Sequence, residues 1–195
     1  LLRQCQAEDP NDSLILLGQS LLAEDTLSFL QRAIHQTPEL MEAQIRLGSL
    51  LARQGSAEEF QNWHSELPAE GDEGPRLWTG RGTWAERINQ PRVAMRCYWE
   101  ALRRNPGLTG ANYRLGLLLQ SHFNPETAKP FLDIARKLQG IRPQESLQIY
   151  QQTRSLDRLR EIVSDMESLG RLREAWGWCR VIEQLQPGDE WARKR

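Results

Sequence analysis

The stretch from Gly74 to Gly140 reads GPRLWTGRGTWAERINQPRVAMRCYWEALRRNPGLTGANYRLGLLLQSHFNPETAKPFLDIARKLQG. It contains two consecutive helix–turn–helix patterns of equal length. In the first, Trp78, Gly82, Ala85, Ala94, Tyr98, Ala101 and Pro106 stand out, and in the second Leu115, Gly116, Leu119, Ala128, Leu132 and Ala135 do. The differences 116 − 82, 128 − 94, 132 − 98 and 135 − 101 all equal 34. Small or apolar side chains returning at one interval are the signature of a repeat array, in which thin helical layers stack on one another.

Working outward, Leu77–Ile88 pairs with Pro91–Arg104, and Leu108–His122 with Pro125–Gln139. A proline is tolerated in a first helical turn, where its missing N–H has no partner to lose. Pro130 lies deeper and is expected to kink its helix or move the start inward. Toward the N-terminus, Ser56 and Glu59 form a capping-box pattern ahead of Phe60, Trp63 and Leu67. Glu39–Gln54 is expected to be a helix closed by Gly55, with Gly48 allowing a neighbour close. Glu24–Gln36 is another, ended by Thr37-Pro38, and Asp12 or Ser13 caps a first helix whose face is Leu14, Leu17, Leu21 and Leu22. The polar Gly/Pro stretch 69–75 is expected to be a loop.

Toward the C-terminus the interval breaks between Gly140 and Arg154. Ser146–Gln152 reads either as a short extra helix or as the first turns of a long one running to Leu169. Leu156, Leu159, Ile162, Val163, Met166 and Leu169 make a helical face closed by Gly170, and Leu172–Gln184 follows with Ala175, Trp176, Cys179 and Ile182. Trp176 and Trp178 are two residues apart and cannot share one face. Pro187-Gly188 stops that helix, and Glu190–Arg195 starts another with Trp191 turned to the array. No strand pattern is present.

The net charge of −1 gives no basic surface for nucleic acid. No apolar run approaches the roughly 18 residues of a membrane span. The three cysteines, Cys5, Cys97 and Cys179, have no metal-site spacing and read as buried or half-buried thiols. Unpaired, they lean toward a reducing, cytoplasmic compartment. Leu1 is not an initiator Met, so the chain reads as a piece of a longer one. His35, His64 and His122 fall in different repeats with no partnering ligand motif. No nucleophile elbow, phosphate loop or zinc-protease motif occurs, so the reading includes no catalytic residue, cofactor or metal.

These residues resemble the tetratricopeptide repeat (TPR) family. From Pro75 as position 1, Trp78, Gly82, Ala94, Tyr98, Ala101 and Pro106 fall at motif positions 4, 8, 20, 24, 27 and 32. From Thr109, the residues Leu115, Gly116, Leu119, Ala128, Leu132 and Ala135 fall at 7, 8, 11, 20, 24 and 27. Arg81 departs at position 7, where the family has Leu, and is expected to snorkel or pair. Phe60 departs where a small residue belongs. The resemblance implies an all-α, right-handed superhelix forming a single solenoid over residues 1–195. Its units would run at about 7–40, 41–74, 75–108, 109–142 and 156–189, with an irregular insert at 143–155 and a capping helix at 190–195.

The resemblance also implies a concave groove lined by the first helix of each pair. Carried onto this chain, the lining is Glu42, Ile45, Ser49, Ala52 and Arg53, then Arg76, Thr79, Thr83, Glu86 and Arg87, then Gly110, Tyr113, Leu117, Gln120 and Ser121. Arg53, Arg76 and Arg87 would supply positive charge and Ile45, Tyr113 and Leu117 an apolar floor. That suits an extended peptide with an acidic group and one apolar anchor. The Lys and Asn with which one TPR subclass clamps chaperone tails are absent, since those positions hold Ile45 and Ser49, Thr79 and Thr83, Tyr113 and Leu117. The implied function is a non-catalytic protein-interaction scaffold. The alternative is a regulatory or targeting arm of a larger multidomain protein, secreted or enzymatic. The partner and the oligomeric state are not legible in the sequence.

Overall fold

A computed structural model describes residues 9–22, 25–68 and 74–195. Twelve helices and no strand occur among the described residues. They are α1 (Ser13–Gln19), α2 (Thr26–Gln36), α3 (Met41–Gln54), α4 (Ala57–Ser65), α5 (Pro75–Arg87) and α6 (Pro91–Arg104). Then follow α7 (Thr109–His122), α8 (Pro125–Gly140), α9 (Pro143–Thr153), α10 (Asp157–Ser168), α11 (Leu172–Leu185) and α12 (Glu190–Arg193).

Local chemistry sets these boundaries. The Ser56 hydroxyl accepts from the Glu59 amide while the Glu59 carboxylate accepts from the Ser56 amide, a complete capping box at α4. Asn124, Asp25 and Asp12 cap α8, α2 and α1 through side-chain oxygens. Pro75, Pro91 and Pro125 each occupy a first turn. Pro75 therefore starts α5 two residues before the expected Leu77. Helix α8 also starts at Pro125 and runs through Pro130, so the second proline does not move its start. After α10, Gly170 at φ 72° allows the Arg171 and Gly170 amides to reach the Met166 and Glu167 carbonyls, a left-handed helix stop. Gly55 ends α3 differently: its φ of −72° and ψ of 162° are extended rather than left-handed.

The helices stack as the interval requires. Helices α5 and α6 pack as a pair, as do α7 and α8, and α7 also lies on α6. A Cβ built on Gly82 would stand 2.6 Å from Tyr98 Cε1, and one on Gly116 would stand 2.6 Å from Leu132 Cδ2. The same absent side chain thus makes the same room one interval apart. Ala94, Ala101, Ala111 and Ala128 have no exposed surface at all. At Gly48 the occupant is Trp63, whose indole N–H donates to Gln44 Oε1 at 3.0 Å. Phe60, bulky where a small residue was expected, stacks on Trp84 with ring centroids 4.5 Å apart.

The structure corrects the reading at both ends. Helix α1 stops at Gln19, and its buried residue is Leu16; Leu14, Leu21 and Leu22 are exposed. Helices α2 and α3 start at Thr26 and Met41, two residues later than expected. The stretch 143–155, read as an irregular insert, is mostly the separate helix α9, ended by Arg154 in the left-handed region. Helix α9 packs chiefly on α10. Trp178 packs against the core of α10 and α11, whereas Trp176 is 58% exposed. Trp191 faces the array as expected, under the Arg195 guanidinium. Cys97 and Cys179 are buried free thiols. Cys5 and the expected loop at 69–73 lie outside the described residues.

Candidate functional site

One face of α3, α5 and α7 carries the residues marked as groove lining. Ala52 and Arg53 from α3, Thr83, Glu86 and Arg87 from α5, and Arg114, Leu118 and His122 from α7 meet in a cleft of about 490 Å³. Three alternate helices reach one cleft because the intervening second helices stack behind them.

The charges in and near this cleft are not equivalent. Arg87 donates to the Leu51 carbonyl at 3.4 Å and to the Gly55 carbonyl, and its guanidinium lies 4.4 Å from the Trp84 ring centroid. It thus caps the C-terminal end of α3 from the next unit, where a cation meets the negative end of the helix. Arg76 pairs with Glu42 at 2.7 Å, and Arg46 shares that carboxylate at 2.8 Å. Glu86 accepts from the Tyr98 hydroxyl at 3.0 Å and pairs with Arg114 at 3.3 Å. Burial, then the Glu86 carboxylate, pushes the Tyr98 phenol well above its ordinary range, against a lowering contribution from the Thr83 hydroxyl. Arg53 is exposed and has no ion pair among the described residues.

Comparison with known proteins adds the architecture. No family model matches the sequence, and no curated protein matches it in sequence. Solved structures do match in shape. One is TTC0263 of Thermus thermophilus, a thermophilic TPR protein, with a TM-score of 0.54 and 17% identity over 94% of this chain and 96% of that one. Another is YrrB, described as a TPR protein with an unusual peptide-binding site, with a TM-score of 0.51 and 15% identity over 99% and 96%. A third is the MamA protein, with a TM-score of 0.51 and 13% identity over 89% and 91%. This chain has the TPR fold.

Within the TPR superhelix, the residues marked in the sequence divide into three groups. Arg53, Thr83 and Arg87 line the cleft, together with Ala52, which has no exposed surface. Tyr113 and Gly110 line a second cavity of about 660 Å³, with Leu132 and Ala135 of α8 opposite. Glu42, Ile45, Ser49, Arg76, Thr79, Leu117 and Gln120 line neither cavity, though Leu117 is exposed and lies one turn beyond Tyr113 on α7. Arg114, Leu118 and His122 were missed, because the positions carried over from the TPR motif lie one residue away on α7. The signal available was charge: Arg114 sits 28 residues from its partner Glu86, within reach once adjacent units stack. His35, His64 and His122 are exposed, and no three His, Cys, Asp or Glu among the described residues are grouped to hold a metal. No described helix is long and apolar enough to cross a membrane.

Proposed function

We propose that this chain is a non-catalytic scaffold that binds an extended peptide along the face of α3, α5 and α7. The observation that carries the reading is the cleft in which Arg53, Arg114 and His122 converge on Thr83, with Tyr113 and Leu117 exposed farther along α7. A carboxylate suits the basic end, since Arg binds carboxylates in a charge-assisted, bidentate manner. Tyr113 at 51% exposure and Leu117 at 37% offer an apolar body for an anchor side chain. From Tyr113 to His122 is nine residues of helix, or about 13 Å at 1.5 Å per residue. An extended peptide covers that distance in roughly four residues, so the ligand carries its acidic and apolar residues about that far apart. Peptide recognition is stated for the structural neighbour YrrB, which supports the same use of this fold here. The solenoid would span the whole chain, with the units at 41–74, 75–108 and 109–142 supplying the groove.

The test is selection from a random peptide library, followed by affinity measurement on the selected peptides. Selected sequences are expected to pair Asp or Glu with an apolar residue. Arg53→Glu is expected to weaken them at least tenfold, and Tyr113→Ala to weaken them without altering the preference for acid. Arg53 is chosen because Arg76 and Arg87 hold the fold together, so their variants would confound binding with stability. Unchanged affinity in Arg53→Glu would exclude the cleft as the binding site.

A further inference from the structure

A third cleft opens on the other side of α5. Arg81, Trp84 and Ala85, continuing to Ile88 at the C-cap, recur at intervals of three, four and seven residues. At 3.6 residues per turn this stripe lies opposite Thr79, Thr83 and Glu86. It faces Phe60 and His64 of α4 and Val93 and Cys97 of α6, around a space of about 300 Å³. Helix α4 has only nine residues against the fourteen of α6, so it does not cover the stripe fully.

The walls and the charge of this cleft point the same way. Phe60 and Trp84 are stacked, and Ile88 and Val93 stand at the rim, 41% and 48% exposed. Arg81, half-buried where the motif elsewhere has Leu47 and Leu115, lines the cleft with its guanidinium 4.7 Å from the Trp78 ring centroid. No acidic side chain lines it. A half-buried cation in place of a packing Leu carries a desolvation cost. An anionic ligand received in the cleft offsets part of that cost.

We propose that this cleft is a second binding site, independent of the groove, for a small carboxylic acid with an aromatic or aliphatic body. The body lies against Phe60, Trp84, Ile88 and Val93, and the carboxylate meets Arg81. The volume is at the low end of those that hold small molecules.

The experiment is calorimetric titration with 4-phenylbutanoate, with 4-phenylbutylamine and 4-phenylbutanol as matched controls. The expected result is saturable one-to-one binding of the acid and at least tenfold weaker binding of the amine and the alcohol. Arg81→Leu installs the residue that the repeat carries at Leu47 and Leu115. It is expected to melt no lower than the parent and to lose at least tenfold in affinity for the acid. Arg81→Lys keeps the charge but not the fork and is expected to fall between. Val93→Glu places a carboxylate at the exposed rim and is expected to weaken the acid by a similar factor, which preserves the test if Arg81→Leu misfolds. No saturable binding of the acid, equal binding of the amine, or unchanged affinity in Arg81→Leu or Val93→Glu would overturn the proposal. None of these outcomes bears on the peptide selection, because Arg53 and Tyr113 belong to the other face.

Discussion

At the scale of single residues, stability in this array turns on what stands opposite each small side chain. Gly82 faces the ring of Tyr98, which is wholly buried and cannot withdraw. Gly82→Ala should gain up to about 1 kcal/mol in helix propensity yet cost about 1–3 kcal/mol in overpacking, so a net loss is expected. Gly177, in the middle of α11, would place a Cβ with nothing within 4 Å. Gly177→Ala should therefore stabilise the fold by about 0.5–1 kcal/mol. Denaturant melts of the pair give opposite signs if the helix contacts are as described. Tyr98 also sets a pH limit. In the unfolded chain its phenol loses a proton near pH 10, but burial and the Glu86 carboxylate keep it protonated in the fold. The unfolded state then binds fewer protons, so stability is full below about pH 10 and falls as the pH rises above it. Tyr98→Phe should cost about 0.5–1.5 kcal/mol at pH 7 and show a shallower alkaline loss than the parent. Parallel slopes above pH 10 would remove Tyr98 from the account.

Helices differ in how openly the sequence declared them. The α5–α8 block was legible because four small or apolar positions return at one interval and three of its elements open on proline. Helix α1 was misread because Leu14–Leu17 is a continuous apolar run, from which more than one face can be drawn. Burial selected Leu16, a choice that depends on where α2 and α3 lie. Helix α9 left two alternatives open, since neither Gly nor Pro marks its end. Its stop is Arg154, at φ 58° and ψ 12°, a conformation that costs a non-Gly residue about 1–2 kcal/mol. Arg154→Gly is therefore expected to raise stability by about 0.5–1 kcal/mol, the difference being lost to the freer unfolded chain. Arg154 is exposed, with its guanidinium 5.8 Å from the Tyr150 ring centroid, so little packing goes with it. A melt unchanged or lowered would mean that this contact outweighs the backbone strain. The groove residues were legible by position, but their partners were not. Arg76 and Glu42 are 34 residues apart, the same repeat position in successive units, so only stacking brings them together.

Over the whole molecule the core is not continuous. Two clusters meet along α5: one runs from Leu16 to Leu77 with Trp84 against it, the other from Ala85 to Leu115 with Trp78 and Phe131. The third, from Tyr150 to Ala192, receives only Ile141 from the region before α9. Across that seam the links are largely polar: Lys137 Nζ donates to Ser168 Oγ at 2.7 Å, and Arg158 donates to the Gly140 carbonyl at 2.9 Å. Exposed bonds of this kind contribute little, while nearest-neighbour burial governs an array of stacked units. The α9–α12 end should therefore unfold separately from α2–α8. Ile182 and Leu115 are both fully or nearly fully buried, on opposite sides of the seam. Truncating either to Ala should cost about 2–5 kcal/mol, but in different places. Hydrogen exchange under mild denaturant is expected to show Ile182→Ala lowering protection in α10 and α11 alone, and Leu115→Ala lowering it in α5–α8. Peptide affinity should survive the first change and fail with the second, because every cleft residue lies on the N-terminal side of the seam. Uniform loss of protection in both variants would show the polar seam to be as cooperative as the apolar layers.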